Sequence, residues 1–396
     1  MKQETPLPLE GIVVVAFEHA VAAPIATRHL ADLGAEVIKI ERKEGDFARD
    51  YDSWVLDQST YFVWLNRGKR SLTLDVKNPA SRDILERLLA RADILIQNLA
   101  PGAATRLGLG YDDLSERFPR LIVCDISGYG DEGPYAGKKA YDLLIQAESG
   151  LVSITGTPET QARCGLSIGD VSTGMYAYSG CLAALVRRGV TGKGGRVQVA
   201  MLDALTEWMS NSLYRVGYGG GQPPRMLMGH PVVVPYGAYA VGDGTQVILA
   251  VQNEREWKTF CEKVLDRPDL VKDPRYASNN DRVAHRDAIK RLIEEHFAGM
   301  TALDAVALLD RADIANARIN DIEAVWNHPQ IAARDRWREV GTENGPIRAL
   351  LPPVQLDGPE AAMGDVPRIG QHTGDVLGQL GFSAAQIEGF RAAGAV

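Results

Sequence analysis

One aspartate sits between two glycines in Gly165-Leu-Ser-Ile-Gly-Asp170-Val-Ser-Thr-Gly174, and its carboxylate is the best-placed nucleophile in the sequence. A carboxylate that attacks an acyl carbon splits one difficult step into two easier ones through a covalent intermediate. Gly169 and Gly174 would let backbone and a bound acyl group come close, and N–H groups there could stabilise an oxyanion. The same string reads equally as the start of a helix with Asp170 as its N-cap, the commoner use of aspartate. The bare string leaves both readings open.

Other chemistries find less support. His19-Ala-Val-Ala-Ala-Pro24 stands where a dinucleotide-binding loop would need G-x-G-x-x-G, so hydride transfer loses its main support. Cys124, Cys164, Cys181 and Cys261 are scattered, with no C-x-x-C and no paired histidines, which argues against a zinc site or a disulfide framework. A net charge of −8 disfavours nucleic acid as a partner, so an anionic ligand would need a local basic pocket. Arg67, Lys69 and Arg70 form a basic run that is read as solvated. His19 and His29 are read as ordinary packed histidines. The N-terminus has no apolar signal core and no long apolar run follows, so a cytoplasmic protein without a membrane partner is expected.

The elements that must carry Asp170 alternate between strand and helix. Ile12–Ala16 is an apolar, β-branched strand; Pro24 suits the first turn of a helix that Gly34 ends; Glu36–Ile40 is the next strand. Glu41 ends it, as an acidic residue does where a Rossmann-like opening binds ribose. Strands follow at 71–74, 93–96 and 121–126, with a helix opened by Asn78-Pro79. This alternation predicts an α/β fold with a mostly parallel sheet covered on both faces. After Asp170 a long helix runs past Ala177 to Val186, then a strand at 197–200. Gly217–Pro224 is rich in glycine and proline, and beyond it 236–241 and 246–251 flank Gly242-Asp-Gly244 as a β-hairpin. Asn253 with Glu256 marks a helix start. At 396 residues two domains are expected: a large Rossmann-like domain from 1–215 and 326–396, a smaller α+β domain at 225–325, and a linker or active-site loop at 216–224.

Several segments in this order resemble the class III CoA-transferases, the formyl-CoA transferase and CaiB/BaiF type. They are Leu30-Ala-Asp-Leu-Gly-Ala35 running on to Arg42, Asn66-Arg-Gly-Lys-Arg70-Ser, Asn98-Leu-Ala-Pro-Gly102 with Arg106-Leu-Gly108, Gly128-Tyr-Gly130, Met201-Leu-Asp203, His230-Pro231 and Gly370-Gln-His-Thr373. Asp170 matches the family's acyl-carrying aspartate, and the resemblance, spanning nearly the whole chain, favours the nucleophile over the cap. It implies coenzyme A, as acyl-CoA, for co-substrate, no metal, and a homodimer of interlocked rings. Arg42, Lys77, Arg106 and Lys139 match positions that contact the phosphates of CoA, and arginine suits these because its planar fork bonds two oxygens at once. Leu74, Asn98 and Leu99 match positions lining the adenine and pantetheine.

The related 2-methylacyl-CoA racemases carry Gly-His-Asp where this chain has Lys139-Ala-Tyr141-Asp142. A tyrosine of ordinary pKa is a poor base for moving an α-proton, so transfer is favoured over racemisation; a CoA-binding protein without activity is the remaining alternative. Tyr141 and Asp142 then shape the acyl pocket. The active-site glutamine of formyl-CoA transferase is Val21 here, which weakens formate and oxalate as substrates. Gly220 and Gly221, in Gly219–Gln222, resemble a glycine lid that excludes water, though a plain linker fits as well. The flavour of 18–24 and 45–51 suggests succinyl-CoA as donor and a C4–C5 dicarboxylate as acceptor, with Arg49 as the cation for its second carboxylate.

Overall fold

The computed structural model describes residues 5–396. It divides into two compact units, the first of Met1–Gly150, Cys164–Ser210 and Ala333–Val396, the second of Leu151–Arg163 and Asn211–Ala332. Leu151–Arg163 therefore lies with the second unit, whereas the sequence reading keeps it in the large domain. The reason is polar: Arg225 bonds the carbonyls of Ser153 and Thr157 at 3.3 and 2.7 Å and that of Pro158 at 2.5 Å, holding this strap to its own unit.

The first unit is built on six strands, β1 (Val13–Phe17), β2 (Glu36–Glu41), β3 (Lys69–Thr73), β4 (Ile94–Gln97), β5 (Ile122–Ser127) and β6 (Gly195–Ala200). Their order is β3-β2-β1-β4-β5-β6 and every pair is parallel. Parallel strands buried on both faces must be apolar throughout, as Val13–Phe17 is. Val13, Val15 and Phe17 enter one core layer with Leu88 and, from the C-terminal part, Val376, Leu377 and Phe382. Val14 and Ala16 enter the opposite layer with Ala26, Ala177 and Cys181.

Four helices matter for the site: α1 (Ala22–Asp32), α2 (Thr60–Asn66), α3 (Asp142–Glu148) and α4 (Ile168–Thr191). All of α1 is buried, Arg28, His29 and Asp32 included. Gly34, at φ +97, turns the chain from α1 into β2. The helix carrying Asp170 begins before that residue, at Ile168, and ends at Gly192 in the left-handed conformation.

The strand order reverses between β1 and β4, and ligands of open α/β sheets bind outside the carboxyl ends of strands at such a point. Asn98 closes this gap: its amide donates to the His19 carbonyl at 2.9 Å and accepts from the His19 N–H at 3.1 Å.

The second unit holds an antiparallel sheet, β7 (Tyr236–Ala240), β8 (Gln246–Ala250) and β9 (Ala315–Arg318). β7 and β8 form the hairpin expected around Gly242 and Gly244. Asn253 caps the next helix by accepting from Glu256 N at 2.9 Å. Val247, Leu249, Trp257, Phe260 and Phe297 make this unit's own core. Among the described residues no helix is long and apolar enough to cross a membrane.

Candidate active site

Asp170 is the third residue of α4, where backbone N–H groups have no partner within the helix. Ser167, at the cap position, makes no side-chain bond to them. They are capped from another helix: Asp142 Oδ1, on α3, accepts from Gly169 N at 2.8 Å and from Asp170 N at 3.4 Å. Asp142 Oδ2 accepts from Gln146 Nε2 at 2.7 Å. Gln146, fully buried, also accepts from Cys164 N at 2.9 Å and donates to the Leu166 carbonyl at 3.3 Å. Asp170 is therefore not the N-cap; Asp142 does that work. The Asp170 carboxylate is half-buried and accepts no hydrogen bond from the described residues. Burial first, and the neighbouring Asp142 charge second, push its pKa up to about 7.

The two glycines serve other ends than the sequence suggests. A Cβ on Gly169 would lie 3.1 Å from Asp142 Oδ1, and one on Gly174 only 2.0 Å from Ile25 Cγ2 and 2.5 Å from the Ala22 carbonyl. Gly174 thus permits the close approach of α1 and α4, not that of an acyl group. The amides of Gly169 and Asp170, expected as oxyanion donors, are taken by Asp142.

The loop after β1 brings its own polarity to the site. Ala20 has φ +61, a conformation that costs a non-glycine residue about 1 kcal/mol, and its N–H donates to Asp46 Oδ1 at 3.2 Å. Val21 is buried with Ile25 and Leu65, against Tyr61 and Val171, the residue after Asp170. Tyr51 lies within electrostatic reach of Asp170: burial first, then Asp46, Asp170, Tyr141 and Tyr61, raise its phenol to about 12. The rings of His19, Phe47, Tyr51, Tyr61 and Trp64 follow one another at 5.1 to 6.4 Å. Burial holds His19 below its ordinary pKa. Tyr141, at the cap position of α3, is largely exposed.

Beneath this loop lie four buried charges that the sequence reading missed. Lys39 Nζ donates to Asp46 Oδ2 at 2.8 Å, and Lys69 Nζ to Glu18 Oε1 at 2.6 Å. Lys39 also reaches Glu18 at 3.5 Å, and Thr27 donates to the other Glu18 oxygen at 2.5 Å. Burial opposes ionisation of Glu18, but Lys69 and Lys39 overcome it and hold its carboxyl below the ordinary value. Charges this deep persist only when paired and hydrogen-bonded. Lys39, a lysine inside the apolar strand Glu36–Glu41, was the signal in the sequence.

These pairs correct the reading of the basic run. Lys69 is buried against Glu18, and Arg67 forms a two-point pair with Asp32 at 2.8 and 2.8 Å; neither is solvated. Arg70 is half-buried and paired with Glu36. Glu41, placed by sequence where ribose would bind, is buried and bonded to Arg49 and Ser71.

Comparison with known proteins decides what this scaffold is. The profile of CoA-transferase family III matches residues 9–373. The chain belongs to CoA-transferase family III. It is 35% identical to an acetyl-CoA:oxalate CoA-transferase of Acetobacter aceti, covering 83% of this chain and 85% of that one. It is 32% identical to the human succinyl-CoA:glutarate CoA-transferase, covering 94% and 86%. Among solved structures, a CaiB/BaiF family protein from Brucella suis superposes with a TM-score of 0.83 at 32% identity, over 95% of this chain and all of that one. The protein is an enzyme of the CoA-transferase class, and CoA-transferases use a CoA thioester as co-substrate.

Of the residues that the resemblance assigns to CoA, Arg42, Leu74, Asn98 and Leu99 stand just beyond the carboxyl ends of β2, β3 and β4. Arg42 follows β2 and is exposed, close enough to act on the His19 ring. Leu74 follows β3 and is buried; Lys77, three residues on, is exposed. Asn98 and Leu99 follow β4, with the Asn98 amide engaged on His19 and Leu99 N donating to Gln97 Oε1 at 2.8 Å. Arg106 is exposed and lies over Gly102, where a Cβ would fall 2.8 Å from its Nη1. Lys139 is exposed in the loop between β5 and α3.

Arg49 does not stand free for a substrate. Its guanidinium grips Glu41 at 3.0 and 2.9 Å, bonds the Pro367 carbonyl at 3.3 Å and stacks 3.7 Å from the Phe62 ring. A cleft of about 440 Å³ beside it is lined by Arg368, Asp57 and Glu343 and does not include Asp170. Gly220 and Gly221 belong to the second unit, where Gly220 exchanges bonds with Arg215 at 2.7 and 3.1 Å, and Gln222 donates to Ser153 at 3.0 Å.

Proposed function

We propose that this chain is an acyl-CoA:carboxylate CoA-transferase that works through an aspartyl-CoA thioester on Asp170, with succinyl-CoA as donor and a C4–C5 dicarboxylate as acceptor. The observation that carries this reading is the Asp170 carboxylate: it accepts no hydrogen bond from the described residues, stands at the start of α4, and is basic for an aspartate. Moving CoA between acids must conserve the energy of the thioester. A serine would trap the acyl group as a stabler ester, whereas a carboxylate forms a mixed anhydride of comparable energy.

The ionised Asp170 oxygen attacks the acyl carbon and the C–S bond breaks, giving a mixed anhydride and CoA thiolate. The thiolate attacks the aspartyl carbonyl, and the donor acid leaves as its carboxylate. The acceptor carboxylate then attacks the aspartyl thioester, forming a second anhydride and releasing thiolate. Attack of that thiolate on the acceptor carbonyl completes the new acyl-CoA and restores Asp170. No water, metal or oxidant enters the balance.

In this reading Arg42, Lys77, Arg106 and Lys139 meet the CoA phosphates, and Leu74, Asn98 and Leu99 line its adenine and pantetheine. The family resemblance supports these roles and those of Gly220 and Gly221 as a lid. The glutarate specificity of the human relative supports the dicarboxylate acceptor, whose distal charge is met by a group other than Arg49. The resemblance also supports an interlocked homodimer, and exposed Val186 and Val190 on α4 are consistent with a face that a second copy covers.

Intact-protein mass spectrometry after brief mixing with succinyl-CoA tests the mechanism. A CoA-sized increment mapped to Asp170, cleared by glutarate or mesaconate and absent in Asp170→Asn, is expected. No increment with succinyl-, acetyl- or oxalyl-CoA would overturn it.

A further inference from the structure

The first turn of a helix favours negative charge, and an aspartate at its third position is well placed to benefit through its own side chain. Asp170 holds that position, yet the N–H groups there are turned to Asp142, at 2.8 Å from Gly169 and 3.4 Å from Asp170. The grip is rigid. Gln146, one turn along α3 and fully buried, clamps the second Asp142 oxygen at 2.7 Å. The same Gln146 bonds Cys164 N and the Leu166 carbonyl, which lie in the first unit just before α4. One carboxylate and one amide thus lock α3, these residues and the first turn of α4 together. The space around Gly169 admits nothing larger than hydrogen without crowding Asp142, which keeps the two carboxylates adjacent.

We propose that Asp142 is the positioning residue of this site: it occupies the helix amides that would otherwise pacify Asp170, and so leaves the nucleophile bare and beside a like charge. The proposal rests on Asp170 being the nucleophile. In the resting enzyme two carboxylates face each other; once Asp170 carries an acyl group or CoA its charge is gone, and the repulsion with it. Bond formation is therefore favoured at the moment of attack. Besides Asp142, the titratable group in electrostatic reach of Asp170 is the Tyr51 phenol, which is itself surrounded by the phenols of Tyr61 and Tyr141 and by the Asp46 carboxylate, paired with Lys39. None of these supplies a cation to Asp170.

Asp142→Asn keeps an oxygen for Gly169 N and removes the charge, at the loss of the bond that Gln146 Nε2 donates to the second Asp142 oxygen. Carbon-13 titration of the Asp170 side chain, assigned with Asp170→Asn, reads the effect without any need for turnover. The Asp170 midpoint is expected to fall by about one pH unit or more in Asp142→Asn, the acid limb of kcat/KM to follow it, and Asp142→Glu to recover part of both. If Asp142→Asn does not fold, Gln146→Ala is the substitute: it frees Asp142 from its clamp, and a lower kcat with an altered Asp170 midpoint is expected. An Asp170 midpoint unchanged in the variant that folds would overturn the proposal. Absence of a CoA adduct on wild-type Asp170 would instead overturn the nucleophile assignment, so the two failures are told apart.

Discussion

Burial beside Asp142 makes Asp170 more basic at the expense of stability, and pH exposes the exchange. Its pKa is raised from the ordinary 3.8 to about 7 in the folded state. Between these values the native state holds more protons than the unfolded state, so this residue's contribution to stability is complete below pH 3.8 and is lost as pH rises through 7. About three pH units at 1.36 kcal/mol each set an upper bound of about 4 kcal/mol. Asp170→Asn is therefore expected to be more stable than wild type at pH 8, with the gain shrinking towards pH 4, as urea unfolding at several pH values would show. Activity runs the other way. With the Asp170 carboxylate as the proposed attacking form, kcat/KM should climb with pH up to about 7 and then level, and a flat profile from pH 5 to 8 would contradict the proposal.

At the scale of elements, the decisive contact is between α1 and α4 at Gly174. A methyl group there would meet the Ala22 backbone as well as Ile25, and backbone cannot swing aside as a side chain can. Gly174→Ala should cost about 2 kcal/mol or more, with the helices forced apart. Gly174 lies one turn beyond Asp170, so the shift also moves the Asp170 carboxylate relative to Ala20, Val21 and Tyr51. The expected outcome is a lowered thermal midpoint together with a lower kcat, beyond what the same loss of stability causes at a remote core site. A kcat unaffected in the folded variant would show that this helix contact does not set the site. Here sequence and structure part company: glycine spacing marks a close approach, but only packing reveals which partner approaches.

The whole first unit depends on parts of the chain that are far apart in sequence. The C-terminal segment returns to the sheet, with Val376, Leu377 and Phe382 in the same core layer as β1 and β2. Its last residues hold the loop after β3: Asp75 N donates to the Ala395 carbonyl at 2.8 Å and Asn78 Nδ2 to that of Ala393 at 2.8 Å. Lys77 stands on that loop. Removing residues 393–396 is expected to raise the KM for acyl-CoA several-fold while kcat at saturation changes less, since the cut loosens the loop proposed to meet CoA through Lys77 and leaves Asp170, Asp142 and Gln146 in place. Equal KM values in steady-state kinetics would remove this role.

The alternation of strand and helix, the buried apolar β1 and the hairpin of the second unit were legible in the sequence because each follows from local periodicity and turn chemistry. The family was legible too, since its segments recur in a fixed order along the chain. What the sequence could not disclose were pairings between distant residues. Lys69 looks solvated until Glu18, 51 residues away, is folded against it. Arg49 looks like a substrate cation until Glu41 fills its fork. Asp142 looks like pocket lining until α4 starts beside it. Local pattern determines where the chain bends and what it buries, because those are decided within a few residues. Which charge neutralises which, and which carboxylate is left bare, is decided only when the strands lie side by side and remote groups come within hydrogen-bonding distance.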